Sequence, residues 1–143
     1  MTGQLATLLV IITLLSGCAS SDHRLEGRWK SNKELTLATI KLRDPVTATK
    51  RATLDSIFGK LVMCYDRTHV IAELPASNGR PGWHSRTRYR VVASDNDSLA
   101  YISTDVFTGE PEISHVYFES PDRYWIYLND TGSKEYFDRI NPE

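Results

Sequence analysis

The sequence has few of the residues on which catalytic and metal-binding sites are usually built. Its 143 residues include two cysteines and four histidines, and no two histidines have a spacing that places two metal ligands on one strand or one helical face. It contains no Gly-x-Ser-x-Gly, no P-loop and no dinucleotide-binding fingerprint. We therefore expect no metal, no cofactor and no enzymatic activity.

Charge of either sign is missing before Asp22 and is balanced after it. All 17 Lys and Arg and all 18 Asp and Glu lie at or beyond that residue, so the body of the chain is close to neutral. Nucleic-acid-binding proteins carry a concentrated excess of Lys and Arg. Nucleic acid is therefore not an expected partner.

Residues 5–15 form an unbroken run of Leu, Ala, Thr, Val and Ile. The run is too short to cross a bilayer as a stable helix and has the length of the apolar region of a signal peptide. A short buried core helix is the alternative, but this run lacks the polar stripe of such a helix. The run leads into Leu15-Ser16-Gly17-Cys18, which resembles the bacterial lipobox.

The lipobox resemblance implies a lipoprotein whose Cys18 is diacylated and becomes the first residue after cleavage. It divides the chain into a signal peptide over 1–17, a short tether over 18–24 and one domain over 25–143. Ala19 stands where an Asp would imply retention in the inner membrane, so the resemblance implies a lipid anchor on the periplasmic side of the outer membrane. Cys64 then has no partner cysteine, and we expect it to be buried beside Val62 and unreactive.

The domain from residue 60 onward reads as a meander of strands separated by turn-forming residues. The alternation of apolar and polar residues predicts strands near 60–66, 68–74, 83–94, 98–107, 113–120, 123–129 and 134–140. Between residues 32 and 59 the spacing of apolar residues instead predicts two helices, the first starting in a capping box from Ser31 to Glu34 and the second at Asp44-Pro45.

The first strand, around Leu25 to Lys30, contains Gly27-Arg28-Trp29 and in this Gly-x-Trp pattern resembles the lipocalin-like barrels. The resemblance implies a mainly β fold, an eight-stranded up-and-down barrel with the helical pair inserted between strands 1 and 2. It also implies that Trp29 closes the base of the barrel and that a basic residue near the end of the last strand, here Arg139, covers its ring. An ordinary core tryptophan on a first strand is the alternative.

An eight-stranded barrel is either filled by side chains or holds one small ligand. In the strand over 83–94, Arg86, Arg88 and Arg90 share one face. With these arginines in solvent, the opposite face lines the core; with them inside, they form a row suited to a carboxylate or phosphate. Tyr101, Tyr117 and Tyr127 are further candidates for contact with a ligand, because a tyrosine facing a cavity can hydrogen-bond it.

Two functions are compatible with this sequence. In the first, the barrel binds a small hydrophobic or amphipathic molecule in a cavity beneath the helical pair. In the second, the interior is filled and the protein contacts an envelope partner through its surface, as an assembly accessory or an inhibitor of a wall-degrading enzyme. An interior void of several hundred cubic ångströms favours the first function.

Replacing the proposed acylation site tests the anchor. We expect Cys18→Ser to leave unprocessed precursor that carries no acyl chain, because the thiol is the atom that is lipidated. Each buried methylene of an anchor contributes about 0.8 kcal/mol, so the wild-type protein should stay with membranes through high-salt washes. Labelling with radioactive palmitate measures this, and label retained by the variant would refute it.

Overall fold

The computed structural model describes residues 22–40, 48–77, 79–128 and 132–141. Within these ranges the chain forms eight strands and two helices. In chain order they are β1 Gly27–Asn32, α1 Lys33–Thr39, α2 Ala48–Ile57, β2 Val62–Tyr65, β3 His69–Leu74, β4 Trp83–Ser94, β5 Ser98–Thr104, β6 Pro111–Ser120, β7 Arg123–Leu128 and β8 Ser133–Ile140. The lipobox, including Cys18, and the Asp44-Pro45 helix start lie outside the described residues.

The strands form a closed antiparallel barrel in which each pairs with the next and β8 returns to β1. The predicted mainly β, eight-stranded up-and-down barrel is therefore confirmed, with the helical pair between the first two strands. The strand predicted over 98–107 ends early, at Thr104. The Asp105 carboxylate there accepts hydrogen bonds from the Phe107 and Thr108 amides and begins a turn. In the part of the chain described, no helix has the length and apolar character needed to cross a bilayer.

The connections of an up-and-down barrel alternate between its two ends. The β2–β3, β4–β5 and β6–β7 turns lie at the end where β1 begins, which we call the closed end. The helices and the β3–β4 and β5–β6 connections lie at the opposite, open end. The apolar core is densest toward the closed end, where Leu25, Trp29, Leu99, Val116 and Tyr124 are almost wholly inaccessible to solvent.

Trp29 fills the closed end, and Arg139 lies over it. The indole Nε1 donates to the Leu25 carbonyl at 2.8 Å, and the Arg139 guanidinium carbon is 4.1 Å from the centroid of the Trp29 ring. The two residues are also paired across β1 and β8. The contact expected from the lipocalin resemblance is therefore present.

Gly27 is required by the same arrangement. Its φ of +123° is unfavourable for residues with a Cβ, and a Cβ there would lie 2.7 Å from Nη1 of Arg139. That nitrogen donates to the Glu26 carbonyl at 2.7 Å, and Nη2 donates to the Arg24 carbonyl at 2.9 Å. The glycine of Gly-x-Trp thus makes room for the arginine that covers the tryptophan.

The folded body begins before Leu25, so the predicted tether over 18–24 is too long. Arg24 pairs with Asp22 at 2.6 Å, and its guanidinium donates to the carbonyls of Asp95, Asn96 and Ser98 in the β4–β5 turn. These bonds hold Asp22 to Arg24 against the closed end. No local pattern in the sequence of these residues predicts hydrogen bonds to a turn that lies about 70 residues later in the chain.

Helix α1 differs from the prediction in its cap, and threonines lie on its buried face. The N-cap is Asn32, whose Oδ1 accepts from the Leu35 amide at 3.0 Å, and Ala38 is exposed. Two threonines face the barrel instead: Thr36 Oγ1 accepts from the Tyr136 amide, and Thr39 Oγ1 accepts from the Lys134 amide. These hydroxyls accept hydrogen bonds from amides of β8 near the end of β1. A buried backbone amide that has no partner on a neighbouring strand needs another acceptor.

The closed end supplies a stability prediction. We expect Trp29→Ala to lower the free energy of unfolding by about 3 to 5 kcal/mol as a large-to-small core change. Arg139→Ala should cost less, because a cation over an indole contributes about 0.5 to 2 kcal/mol. Denaturant titrations of both variants and of the double variant should show losses that are not additive. The control pair is Trp29→Ala with Arg86→Ala, whose losses should add; strictly additive losses for Trp29 and Arg139 would show that their contact has no energetic coupling.

Candidate functional site

A cavity of about 420 Å³ lies inside the barrel, toward the open end. Its inner wall is made of side chains that point inward from β2, β5, β7, β8 and the residue before β2. They are apolar or aromatic: Leu61, Met63, Tyr65, Tyr101, Tyr124, Ile126 and Phe137. A cavity of this size with a mostly apolar wall and a few hydroxyl groups has the character of a small-molecule site.

A second cavity of about 210 Å³ adjoins the first on the β3 to β5 side. The two share Met63, Tyr101, Glu112 and Ser114, and the second adds the small polar side chains of Ser85 and Thr87. Open space therefore adjoins the inward-facing side chains of Met63 and Tyr101 on both sides. Among the described residues of α1 and α2, none lines either cavity.

A group of tyrosines forms the floor of the main cavity. The hydroxyl oxygens of Tyr65 and Tyr101 are 3.4 Å apart, and Tyr124 stacks on Phe137 with ring centroids 4.9 Å apart. Burial raises the pKa of Tyr65 and of Tyr124 well above the usual value of a phenol. These hydroxyls therefore stay neutral at physiological pH, and they are suited to donating or accepting hydrogen bonds rather than to acting as bases.

Glu135 carries a carboxyl group that is buried inside the barrel, and its exposure is 7%. Ser31 Oγ donates to its Oε1 at 2.7 Å and itself accepts from the Gly59 amide at 3.1 Å. This chain of bonds ties the residues after α2 to the first and last strands. Burial raises the pKa of Glu135, against the smaller opposing effect of the Ser31 hydrogen bond. Ser31, predicted as a helix cap, thus serves the barrel interior instead.

The arginine row lies outside the barrel. Arg86, Arg88 and Arg90 are exposed, whereas Tyr89 and Val91, on the other face of β4, are partly or fully buried. Inward guanidinium groups would have to leave water, which is costly unless each is paired and hydrogen-bonded. The hypothesis of an interior anion-binding row is therefore wrong, and the solvated alternative fits the structure.

The candidate tyrosines, by contrast, all reach the main cavity. Tyr101 is buried and lines it from within, while Tyr117 and Tyr127 lie on the outward faces of β6 and β7 at its edge. Sequence reasoning missed Met63 and assigned its neighbour Cys64 to a buried position. Cys64 is half-buried on the outer face, because Met63 and Tyr65 point inward. Leu61, Met63 and Tyr65 occupy every second position, and this alternation could have predicted that their side chains share the inward face.

A wider groove of about 560 Å³ lies on the outside of β4 and β5, beside the β2–β3 turn. Charged side chains of both signs border it, among them Asp22, Glu26, Arg67, Arg88 and Arg90. It is larger than either of the other two cavities, and Tyr89, Val91 and Ile102 line it together with the charged side chains. Among the described residues no group of three or more His, Cys, Asp or Glu is placed to hold a metal ion.

The raised pKa of Glu135 predicts a pH-dependent stability. The folded protein holds this proton more tightly than the unfolded chain, so the stabilisation is complete below the unfolded-state pKa and is lost as pH rises through the folded-state pKa. Glu135→Gln keeps an acceptor for Ser31 but does not ionise. We expect the variant to gain stability relative to wild type as the pH rises from below the ordinary pKa of a glutamate through the raised pKa of Glu135, measured by urea titration. A difference independent of pH would contradict this.

The comparisons with known proteins add no relative to this picture. No protein-family model matches the chain, and no curated protein and no solved structure matches it significantly. The barrel and its cavity are therefore the observations from which a function is inferred.

Proposed function

We propose that this protein is a lipid-anchored, lipocalin-like barrel that binds a small hydrophobic or amphipathic molecule in its interior. The observation that carries the proposal is the cavity of about 420 Å³, whose inner wall is apolar and aromatic. Burial of an apolar ligand against such a wall contributes about 25 cal/mol for each Å² removed from water. A filled barrel, which the surface-contact alternative requires, has no such void.

The polar groups of the cavity are consistent with an amphipathic ligand. The hydroxyls of Tyr65, Tyr101 and Tyr124 lie at its inner end. No Lys or Arg of the described chain lines either interior cavity. A carboxylate or phosphate buried there would have no cation to pair with, and its desolvation would be costly. The proposal therefore assigns the interior to the apolar part of the ligand.

The lipid anchor is a second part of the same proposal, carried by the sequence of the leader and of the Cys18 region. Asp22 and Arg24 are fixed to the closed end of the barrel. An anchor at Cys18 would therefore attach close to the closed end, leaving the open end and the main cavity farther from the outer membrane. We place the protein on the periplasmic side of that membrane.

Exposed apolar side chains favour the envelope-partner function as a second candidate. Phe107 is 82% exposed and stacks on Trp83 at the open end, with ring centroids 6.1 Å apart. Isolated exposed apolar residues are common on soluble proteins, so these two rings support the second function less than the cavity supports the first.

Binding of a neutral fluorescent probe tests the ligand-binding function. We expect N-phenylnaphthylamine to bind saturably and to be displaced by single-chain amphipaths. Met63 lines both cavities, so the larger side chain of Met63→Trp should occupy part of the space. Binding should weaken by about tenfold or more, equivalent to about 1.4 kcal/mol. Val62→Trp is the matched control, because Val62 is the neighbouring residue on the outer face of β2. Circular dichroism establishes that both variants fold, and equal probe affinity in wild type and Met63→Trp would refute the function.

A further inference from the structure

Strands β6 and β7 separate from each other toward the open end of the barrel. Among the described residues their recorded pairs are Tyr117 with Trp125, Phe118 with Tyr124 and Ser120 with Arg123, all toward the closed end. On their other sides both strands are paired along their length, β6 with β5 over 111–117 and β7 with β8 over 123–128. The ladder between β6 and β7 thus stops at Tyr117 and Trp125 while both strands continue.

The main cavity extends into this gap. Side chains of a strand alternate between its two faces, so a cavity confined to the interior would contact every second residue. The main cavity instead contacts the consecutive residues Glu112 to His115 of β6 and both Ile126 and Tyr127 of β7. We call the opening bounded by Ile113, Ser114, His115, Ile126 and Tyr127 the β6–β7 slot.

The outer edges of the slot are apolar and exposed. Ile113 is 58% exposed and Tyr127 is 52% exposed, on opposite sides of the opening. Inward of them the wall continues through Ile126 and Phe137 to the tyrosine floor. An apolar chain would therefore meet apolar side chains from both strands on its way inward, with Ser114 and His115 as the polar residues of the opening.

Aromatic rings border the slot where the ladder ends. The Trp125 ring stacks on Tyr117 at 4.3 Å between centroids and meets Tyr127 edge-on at 4.9 Å. The Lys134 ammonium lies 3.8 Å from the centroid of the Trp125 ring. Tyrosine, tryptophan and lysine side chains are suited to a boundary between apolar and polar surroundings, because each combines an apolar body with a polar end.

We infer that the β6–β7 slot is the ligand's binding route: a single-chain amphipath inserts its apolar chain sideways through the slot and leaves its polar head beside Trp125 and His115. This inference rests on the proposed function and specifies the ligand class and its orientation. The polar head remains in solvent, where it needs no buried cation. The absence of Lys and Arg from the walls of the interior cavities of the described chain fits that orientation.

The three tryptophans of the chain allow the orientation to be measured. Trp29 lies at the closed end, Trp83 at the open end and Trp125 beside the slot. A nitroxide quenches the fluorescence of a nearby indole, so a single-chain detergent carrying the nitroxide beside its head group reports where the head lies. The same detergent with the nitroxide at the end of its chain reports the position of the tail.

The experiment uses the mature full chain with Trp83→Phe or Trp125→Phe, each of which leaves one outer tryptophan in addition to Trp29. With the head-labelled detergent we expect Trp83→Phe to lose more than half of its Trp125 emission, and Trp125→Phe to lose little. Moving the nitroxide to the chain end should reduce the quenching of Trp125. Binding of N-phenylnaphthylamine is measured in parallel for both variants.

Each outcome has a distinct meaning. Quenching of Trp125 by the head label supports the slot. Probe binding accompanied by quenching of Trp83, or by no quenching of Trp125, overturns the slot and leaves the ligand-binding function standing. If neither the probe nor the detergent binds to wild type, the proposed function fails and the slot inference fails with it.

Discussion

The joining of the first strand to the last is the constraint on which the rest of this structure depends. A sheet of eight strands has two open edges unless β1 pairs with β8, and unpaired edges leave backbone donors and acceptors without partners. Here that pairing places Trp29 opposite Arg139. The guanidinium then reaches the Trp29 ring, the Arg24 and Glu26 carbonyls and the β6–β7 turn at Pro121. One side chain thus connects the start of the barrel, its end and a turn between them.

The two ends of the barrel are built for different purposes. The closed end contains the largest fully buried rings and a network of charge-assisted hydrogen bonds from Arg24 and Arg139, which are stronger than neutral ones. Nearer the open end, apolar and aromatic side chains line the main cavity, and Ser85 and Thr87 help to line the second. Empty apolar space in a protein is destabilising, at about 24 cal/mol per Å³ in a well-studied mutant series. A barrel that is dense at one end and hollow at the other is therefore suited to hold a ligand rather than only to be stable.

The parting of β6 and β7 joins the interior to the surface without opening the barrel. The ladder between them closes the lower half, and the β5–β6 and β7–β8 ladders hold each strand from its other side. The exposed Ile113 and Tyr127, unexplained as isolated surface residues, belong to the same feature as the interior cavity.

The sequence alone determined the class of fold, because local patterns carry it. Period-two alternation and explicit turns set seven of the strands, and Gly27-Arg28-Trp29 identified the first. The resemblance to the lipocalin-like barrels singled out Arg139, and the even strand count agreed with it by bringing the first and last strands together. The sequence did not determine which face of β4 points inward, because Arg86, Arg88 and Arg90 alternate with equally plausible Ser85, Thr87 and Tyr89. Burial of Val91 and the neighbouring strands decided it.

The remaining features needed the tertiary structure because they depend on residues far apart in sequence. Ser31 has the local pattern of a helix cap, but Glu135 offers its hydroxyl a buried partner and Asn32 caps the helix. The threonines of α1 are ordinary helix residues until β8 presents free amides to them. Likewise, no local pattern marks the point at which β6 and β7 separate. That point follows from how β6 pairs with β5 and β7 with β8, and these pairings exist only in the assembled barrel.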